Sequence, residues 1–131
     1  MADTDPTRRG IDTLGLRDAT LALGDQVADA VALGEAVEGL PGGDEIANVL
    51  VLGVGSSGLV GDLLEAVGDL FLPVPVVLSK GYDAPSFVGP DTLAIAVSYS
   101  GDTEETLQAV EEAHQAGARL LVVTRGGALG E

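Results

Sequence analysis

Val97-Ser98-Tyr99-Ser100-Gly101-Asp102-Thr103-Glu104-Glu105-Thr106 joins an apolar run to a helix-forming segment through small hydroxyl residues and one glycine. The run from Leu93 to Val97 reads as a buried strand, and Glu104 and Glu105 as the acidic first turn of the helix that follows. A strand that opens onto a helix amino terminus presents unpaired backbone N–H groups and the positive end of the helix dipole, a setting that favours an anion. Ser98, Ser100 and Thr103 add hydroxyl donors there, and Gly101 removes a side chain that would obstruct close approach. These residues make a phosphate cradle without a cation. The plainer reading, serine and threonine as caps of a helix start, applies to the same atoms, and Ser100 can serve both purposes.

Working outward, a second turn of similar character precedes it. Ile46 to Gly53 is a continuous apolar run suited to a strand buried on both faces. Gly53-Val54-Gly55-Ser56-Ser57-Gly58 then leads into a helix from about Ser57 to Leu70, with Leu59, Leu63, Val67 and Leu70 at helical spacing. Val74 to Leu78 is a second strand, and Pro75 favours an edge position for it. A loop from Ser79 to Pro90 leads to the third strand, Thr92 to Val97. The next helix runs from about Thr103 to Gln115, with Leu107, Val110 and His114 on one face and Gly117 closing it as a C′ residue. Arg119 to Thr124 is a fourth strand. Upstream, residues 12–38 carry Leu14, Leu21, Leu23, Val27, Val31 and Val37 among alanines and acids, which predicts one or two helices. Leu40-Pro41-Gly42-Gly43-Asp44 breaks the chain, and residues 1–11 are expected to fray.

Strands alternating with helices predict an α/β fold: a three-layer parallel sheet of order 2-1-3-4 with helices on both faces and right-handed crossovers. The first and third strands then flank a topological switch point, where ligands of open α/β sheets bind. Both glycine-bearing turns fall at that crevice.

Composition narrows the function. The chain has 131 residues, 46% of them hydrophobic and only 3% aromatic, so its core is aliphatic. It contains no cysteine, which excludes thiolate chemistry and disulfides. A formal net charge of −15 disfavours nucleic acid and anionic membrane as partners. No run reaches membrane-spanning length and no signal peptide is evident, so a cytoplasmic protein is expected. The same charge opposes a phosphorylated ligand at long range, leaving oriented short-range dipoles to hold it. His114, the only histidine, sits about three turns down its helix, roughly 15 Å from the loop, and reads as a partly buried helix-face residue. Glu104, Glu105, Glu111 and Glu112 read as a solvated acidic face, and Asp62 as an early helix residue. Lys80 and Arg125 are the cations nearest the strand ends, without a role that the sequence decides.

The ten-residue loop, together with Lys80-Gly81-Tyr82-Asp83-Ala84-Pro85-Ser86-Phe87-Val88-Gly89 and the Gly53–Gly58 turn, resembles the SIS (sugar isomerase) domain, and within it the bifunctional phosphoglucose/phosphomannose isomerases. The similarity runs from about Leu16 to the last residue and covers the first half of such an enzyme. It implies residues 12–131 as a single, truncated SIS-type domain of flavodoxin-like topology, lacking the fifth strand. It also implies a hexose 6-phosphate substrate, interconverted between glucose or mannose 6-phosphate and fructose 6-phosphate without metal or organic cofactor. By the same resemblance Ser98, Ser100, Gly101 and Thr103 grip phosphate, and Gly55, Ser56 and Ser57 line the sugar. The family's catalytic glutamate, histidine and lysine correspond to nothing in this chain, so no catalytic residue is expected here, and binding with little or no turnover. The open sheet predicts a homodimer or other self-association.

Two other readings compete. One is a non-catalytic SIS module that senses sugar phosphates. The other is a Rossmann-type NADP domain, which the GxGxxG spacing permits and the absence of an acidic residue at the end of the second strand disfavours.

Overall fold

The computed structural model describes residues 12–131, so the frayed segment expected at 1–11 lies outside the described residues. The chain divides after Leu40 into two compact units.

The first holds two helices, α1 (Leu16–Leu21) and α2 (Leu23–Glu35). Asp12 starts α1: its carboxylate accepts the amides of Leu16 and Arg17, each at 2.8 Å, across Gly15 in the left-handed region. The two helices expected over residues 12–38 are thus present, and neither buries a residue.

The second unit is the predicted sheet. Its strands are β1 (Asn48–Leu52), β2 (Val76–Ser79), β3 (Thr92–Ser98) and β4 (Arg119–Thr124), all parallel and in the order β2-β1-β3-β4. Pro75 precedes the edge strand β2, and its carbonyl still receives the Val49 amide at 2.9 Å. Two helices supply the crossovers, α3 (Gly55–Phe71) between β1 and β2 and α4 (Glu104–Gln115) between β3 and β4. Leu50, Leu52, Ala94 and Ala96 point to one face and pack with Ala109 and Ala113 of α4. Val49, Val51, Val76 and Leu78 form the other face, on which α3 lies. The α4 helix ends as its glycine predicts. Gly117 adopts φ 90°, and the Ala118 amide reaches back to the Ala113 carbonyl at 3.0 Å.

Two expectations about helix faces need correction. On α3 the residues at helical spacing, Leu59, Leu63, Val67 and Leu70, are all exposed, while Gly58, Gly61 and Gly68 are buried. A Cβ at Gly68 would meet Val76 Cγ2 at 2.7 Å, and one at Gly61 would overlap the Leu78 side chain. The helix rides on the sheet through glycines, so the bulky residues face away. On α4 the buried face is Thr106, Ala109 and Ala113; of the expected trio Val110 packs, partly buried, against the same core, whereas His114 is exposed. Small residues again permit the close approach that Leu107 would prevent. No described helix is long and apolar enough to cross a membrane.

Candidate functional site

Three loops meet at the carboxyl edge of the sheet, after β1, β3 and β4. The turn after β1 is pressed against the end of β3, since a Cβ at Gly53 would lie 2.9 Å from the Val97 carbonyl oxygen. Gly55 adopts φ 59°, and Ser56 and Ser57 open the first turn of α3 with no side chain capping that helix.

The loop after β3 is organised by its own hydroxyls. Ser98 is 2% exposed; its Oγ accepts the Gly101 amide at 3.2 Å and lies 3.1 Å from Thr103 Oγ1. Ser100 is exposed, accepts the Asp102 amide at 3.2 Å and stands 3.5 Å from the same Thr103 oxygen. Thr103 occupies the N-cap position of α4 in extended conformation, yet its hydroxyl makes no cap bond. That oxygen is turned toward the two serines, so the first amides of α4 have no side-chain acceptor. The hydroxyl of Thr106, one turn in, is buried without a partner.

Gly101 is also where a neighbouring loop comes close. It adopts φ 75° and is buried, and a Cβ there would overlap the carbonyl oxygen of Gly126. The closest approach is therefore made by the loop after β4. Ala128 donates its amide to Asp102 Oδ1 at 2.9 Å, Leu129 to the Gly101 carbonyl at 3.1 Å, and Arg125 to the Tyr99 carbonyl at 3.3 Å. Thr124 donates its hydroxyl to the Gly126 carbonyl at 2.7 Å and closes the turn. Sequence reasoning gave Asp102, Thr124, Gly126 and Gly127 no part. The adjacent Gly126-Gly127 was the one signal that could have marked this tight turn.

A cavity of about 410 Å³ opens at this edge, lined by Ser56, Ser57, Val60, Val97, Tyr99, Val123, Thr124 and Arg125. Ser56 and Ser57 thus face it, whereas Ser98, Ser100, Gly101 and Thr103 flank Tyr99 in the chain without lining it. The Arg125 guanidinium donates to the Tyr99 hydroxyl at 2.9 Å and sits 5.7 Å from the centre of its ring. Arg125 makes no ion pair among the described residues. Lys80, the other cation in question, is held by Asp62 at 2.8 Å and does not line the cavity.

The loop from Ser79 to Pro90 lies along α4. Glu112 accepts the Ala84 amide at 2.9 Å, and that bond, with one from Gln108, holds its carboxyl below the usual range. Tyr82 faces the start of α4, where the negative charge of Glu105 and then partial burial and Glu104 push its phenol above the ordinary value.

Comparison with known proteins gives a consistent picture. The family model described as SIS domain matches residues 45–128. A bifunctional phosphoglucose/phosphomannose isomerase of Caldicellulosiruptor bescii is 47% identical over 58 residues, which is 44% of this chain and 17% of that protein. The protein of the same name from Thermoplasma acidophilum is 48% identical over 63 residues, 48% of this chain and 20% of that one. The chain therefore spans about a fifth of the length of these curated relatives. Among solved structures, a Bacillus subtilis chain assigned as a phosphosugar isomerase superposes with a TM-score of 0.58 at 26% identity, over 62% of this chain and 26% of that one.

Proposed function

This chain belongs to the SIS domain family, and from that premise we propose that it binds a hexose 6-phosphate as part of an aldose–ketose isomerase. The substrates would be glucose or mannose 6-phosphate and fructose 6-phosphate. The observation that carries this reading is the start of α4, where Thr103 withholds its hydroxyl from the helix amides. Those amides, the exposed Ser100 and the Thr103 oxygen converge where a phosphate needs donors. The dipole and the N–H groups act over a few ångströms, inside the range at which salt would screen the chain's negative field. Ser98 has a supporting part, holding Gly101 and Thr103 in place. Gly55, Ser56 and Ser57 receive the sugar hydroxyls, with Ser56 and Ser57 facing the cavity.

Isomerisation through an enediol needs a base beside C1 and C2. No carboxylate or imidazole lines the cavity among the described residues. Ligand binding with little turnover by these residues alone is the reading proposed, with a sensing role as the second. The Rossmann alternative loses ground because Lys80, the group that might hold a 2′-phosphate, is engaged by Asp62. The β4 edge has no strand partner among the described residues, and Leu120, Val122 and Val123 are exposed there, which supports self-association.

Calorimetric titration with fructose 6-phosphate tests the assignment. Saturable binding to the purified chain, lost in the Ser100→Ala, Thr103→Ala double variant with its fold unchanged, is the expected result. Binding that survives that double variant removes these hydroxyls from the site. Stabilisation by NADP alone favours the dinucleotide reading.

A further inference from the structure

We propose that ionic strength gates the sugar-phosphate site, with affinity rising as salt is added, because Asp102, Glu104 and Glu105 place negative charge around the helix start that receives the dianion. The inference rests on the proposed hexose 6-phosphate site and adds the condition under which that site fills.

The placement of charge carries it. Thr103 is the N-cap of α4, so Asp102 stands just before the cap and Glu104 and Glu105 form the first turn. The three carboxylates bracket the amides that the Thr103 hydroxyl leaves without an acceptor. Asp102 is anchored there, its Oδ1 accepting the Ala128 amide at 2.9 Å. Asp102 and Glu104 are exposed and Glu105 is partly buried. None of the three makes an ion pair among the described residues, whereas Lys80 and Arg119 are engaged elsewhere, by Asp62 and Glu45. The charge is felt locally: Glu105 first, then burial and Glu104, push the phenol of Tyr82 above its ordinary value.

Carboxylates in a first turn already interact with the positive end of the helix dipole, and an arriving phosphate shares that end with them. The donors proposed for the phosphate are neutral, and one cation, Arg125, lines the neighbouring cavity. Against it stand the three carboxylates and a formal charge of −15 on the whole chain. Attraction and repulsion here differ in reach. Hydrogen bonds from amides and hydroxyls act over about 3 Å, too short for salt to screen. Repulsion of the incoming dianion extends over the Debye length, about 30 Å at 0.01 M ionic strength and about 8 Å at 0.15 M. Salt therefore removes the opposing part of the interaction and leaves the favourable part. A site built from lysine and arginine behaves the other way, because salt screens its attraction.

Calorimetric titration of the full chain with fructose 6-phosphate, in potassium chloride from roughly 0.01 to 1 M, tests this. Affinity should rise about 5- to 50-fold between the lowest concentration and 0.15 M and then level off. Fructose 6-sulfate, with one negative charge where the phosphate carries nearly two, should show about half the logarithmic slope. The Asp102→Asn, Glu104→Gln variant keeps a side-chain oxygen for the Ala128 amide. It should bind fructose 6-phosphate about 3- to 30-fold more tightly than wild type at the lowest salt and within about twofold of it at 1 M. An affinity that falls or stays level as salt rises overturns the proposal and leaves the sugar-phosphate reading standing. A variant whose salt dependence equals that of wild type does the same. If fructose 6-phosphate fails to bind at every concentration, both readings fall together. Thermal melts at each concentration confine the comparison to the folded chain. A chain that folds only near 1 M, where the Debye length is about 3 Å, has no unscreened field left to remove, and that result also overturns the proposal.

Discussion

The Thr103 hydroxyl lies 3.1 Å from that of Ser98, and neither caps the helix that Thr103 precedes. The two serines beside Thr103 divide labour within one loop: the buried Ser98 shapes it and the exposed Ser100 faces outward. Substitutions should separate the two. Ser98→Ala leaves the buried Gly101 amide without its acceptor and should cost about 1–3 kcal/mol. Ser100→Ala, at an exposed position, should change stability by less than about 0.5 kcal/mol while weakening sugar-phosphate binding. Urea unfolding read alongside calorimetry checks this, and equal stability losses at the two positions would contradict the division.

Gly101 is where the loops after β3 and β4 touch. Alanine there must adopt φ 75°, a left-handed conformation that costs an L-residue about 1–2 kcal/mol, and its methyl would overlap the Gly126 carbonyl. Overpacking adds about 1–3 kcal/mol, and backbone cannot move aside as a flexible side chain can. Gly101→Ala should therefore unfold at a clearly lower urea midpoint than Ser98→Ala. It should also reduce ligand affinity, because the displaced segment carries Ser100. A variant that matches wild type in both measurements would mean that the two loops separate freely.

Helix α3 offers a competition between two effects of known size. Replacing a mid-helix glycine with alanine gains about 1 kcal/mol of helix propensity. At Gly68 the added methyl would meet Val76 Cγ2 at 2.7 Å, and valine has little rotamer freedom with which to retreat. Overpacking at about 1–3 kcal/mol should win, leaving Gly68→Ala destabilised on balance. Leu63→Gln on the exposed face should shift stability by no more than about 0.5 kcal/mol. Thermal melts of the two variants decide which face of α3 carries its packing.

That helix also marks where the sequence stopped being legible. The strands, their order and the edge position of β2 follow from apolar runs, from Pro75 and from alternation with helices, all local patterns. The crevice between β1 and β3 follows from that order. The packing faces of α3 and α4 do not, because a search for apolar spacing selects Leu59 and Leu63 or Leu107 and cannot value a glycine or alanine whose contribution is closeness. The loop after β4 was opaque for a related reason. Asp102 and Ala128 are 26 residues apart and meet only once β4 has returned alongside β3. Tyr99 and Arg125 are likewise brought together by register between those strands, with no signal in either stretch read alone.

The loop from Ser79 to Pro90 is fastened to α4 by a group that titrates. The Ala84 amide, and after it Gln108, hold the Glu112 carboxyl below the ordinary range in the folded chain. A folded pKa below the unfolded one means that the stabilisation is complete above the unfolded value and is lost as pH falls through the folded one. The bond from Ala84 to Glu112 should thus hold at neutral pH and weaken progressively on the acid side of the normal glutamate range. Hydrogen exchange of the Ala84 amide, corrected for its intrinsic pH dependence, should lose protection over that interval. In Glu112→Gln the amide oxygen still accepts but does not titrate, so protection should stay flat across the same interval. A parallel acid loss in the variant would place the titrating group elsewhere than at Glu112.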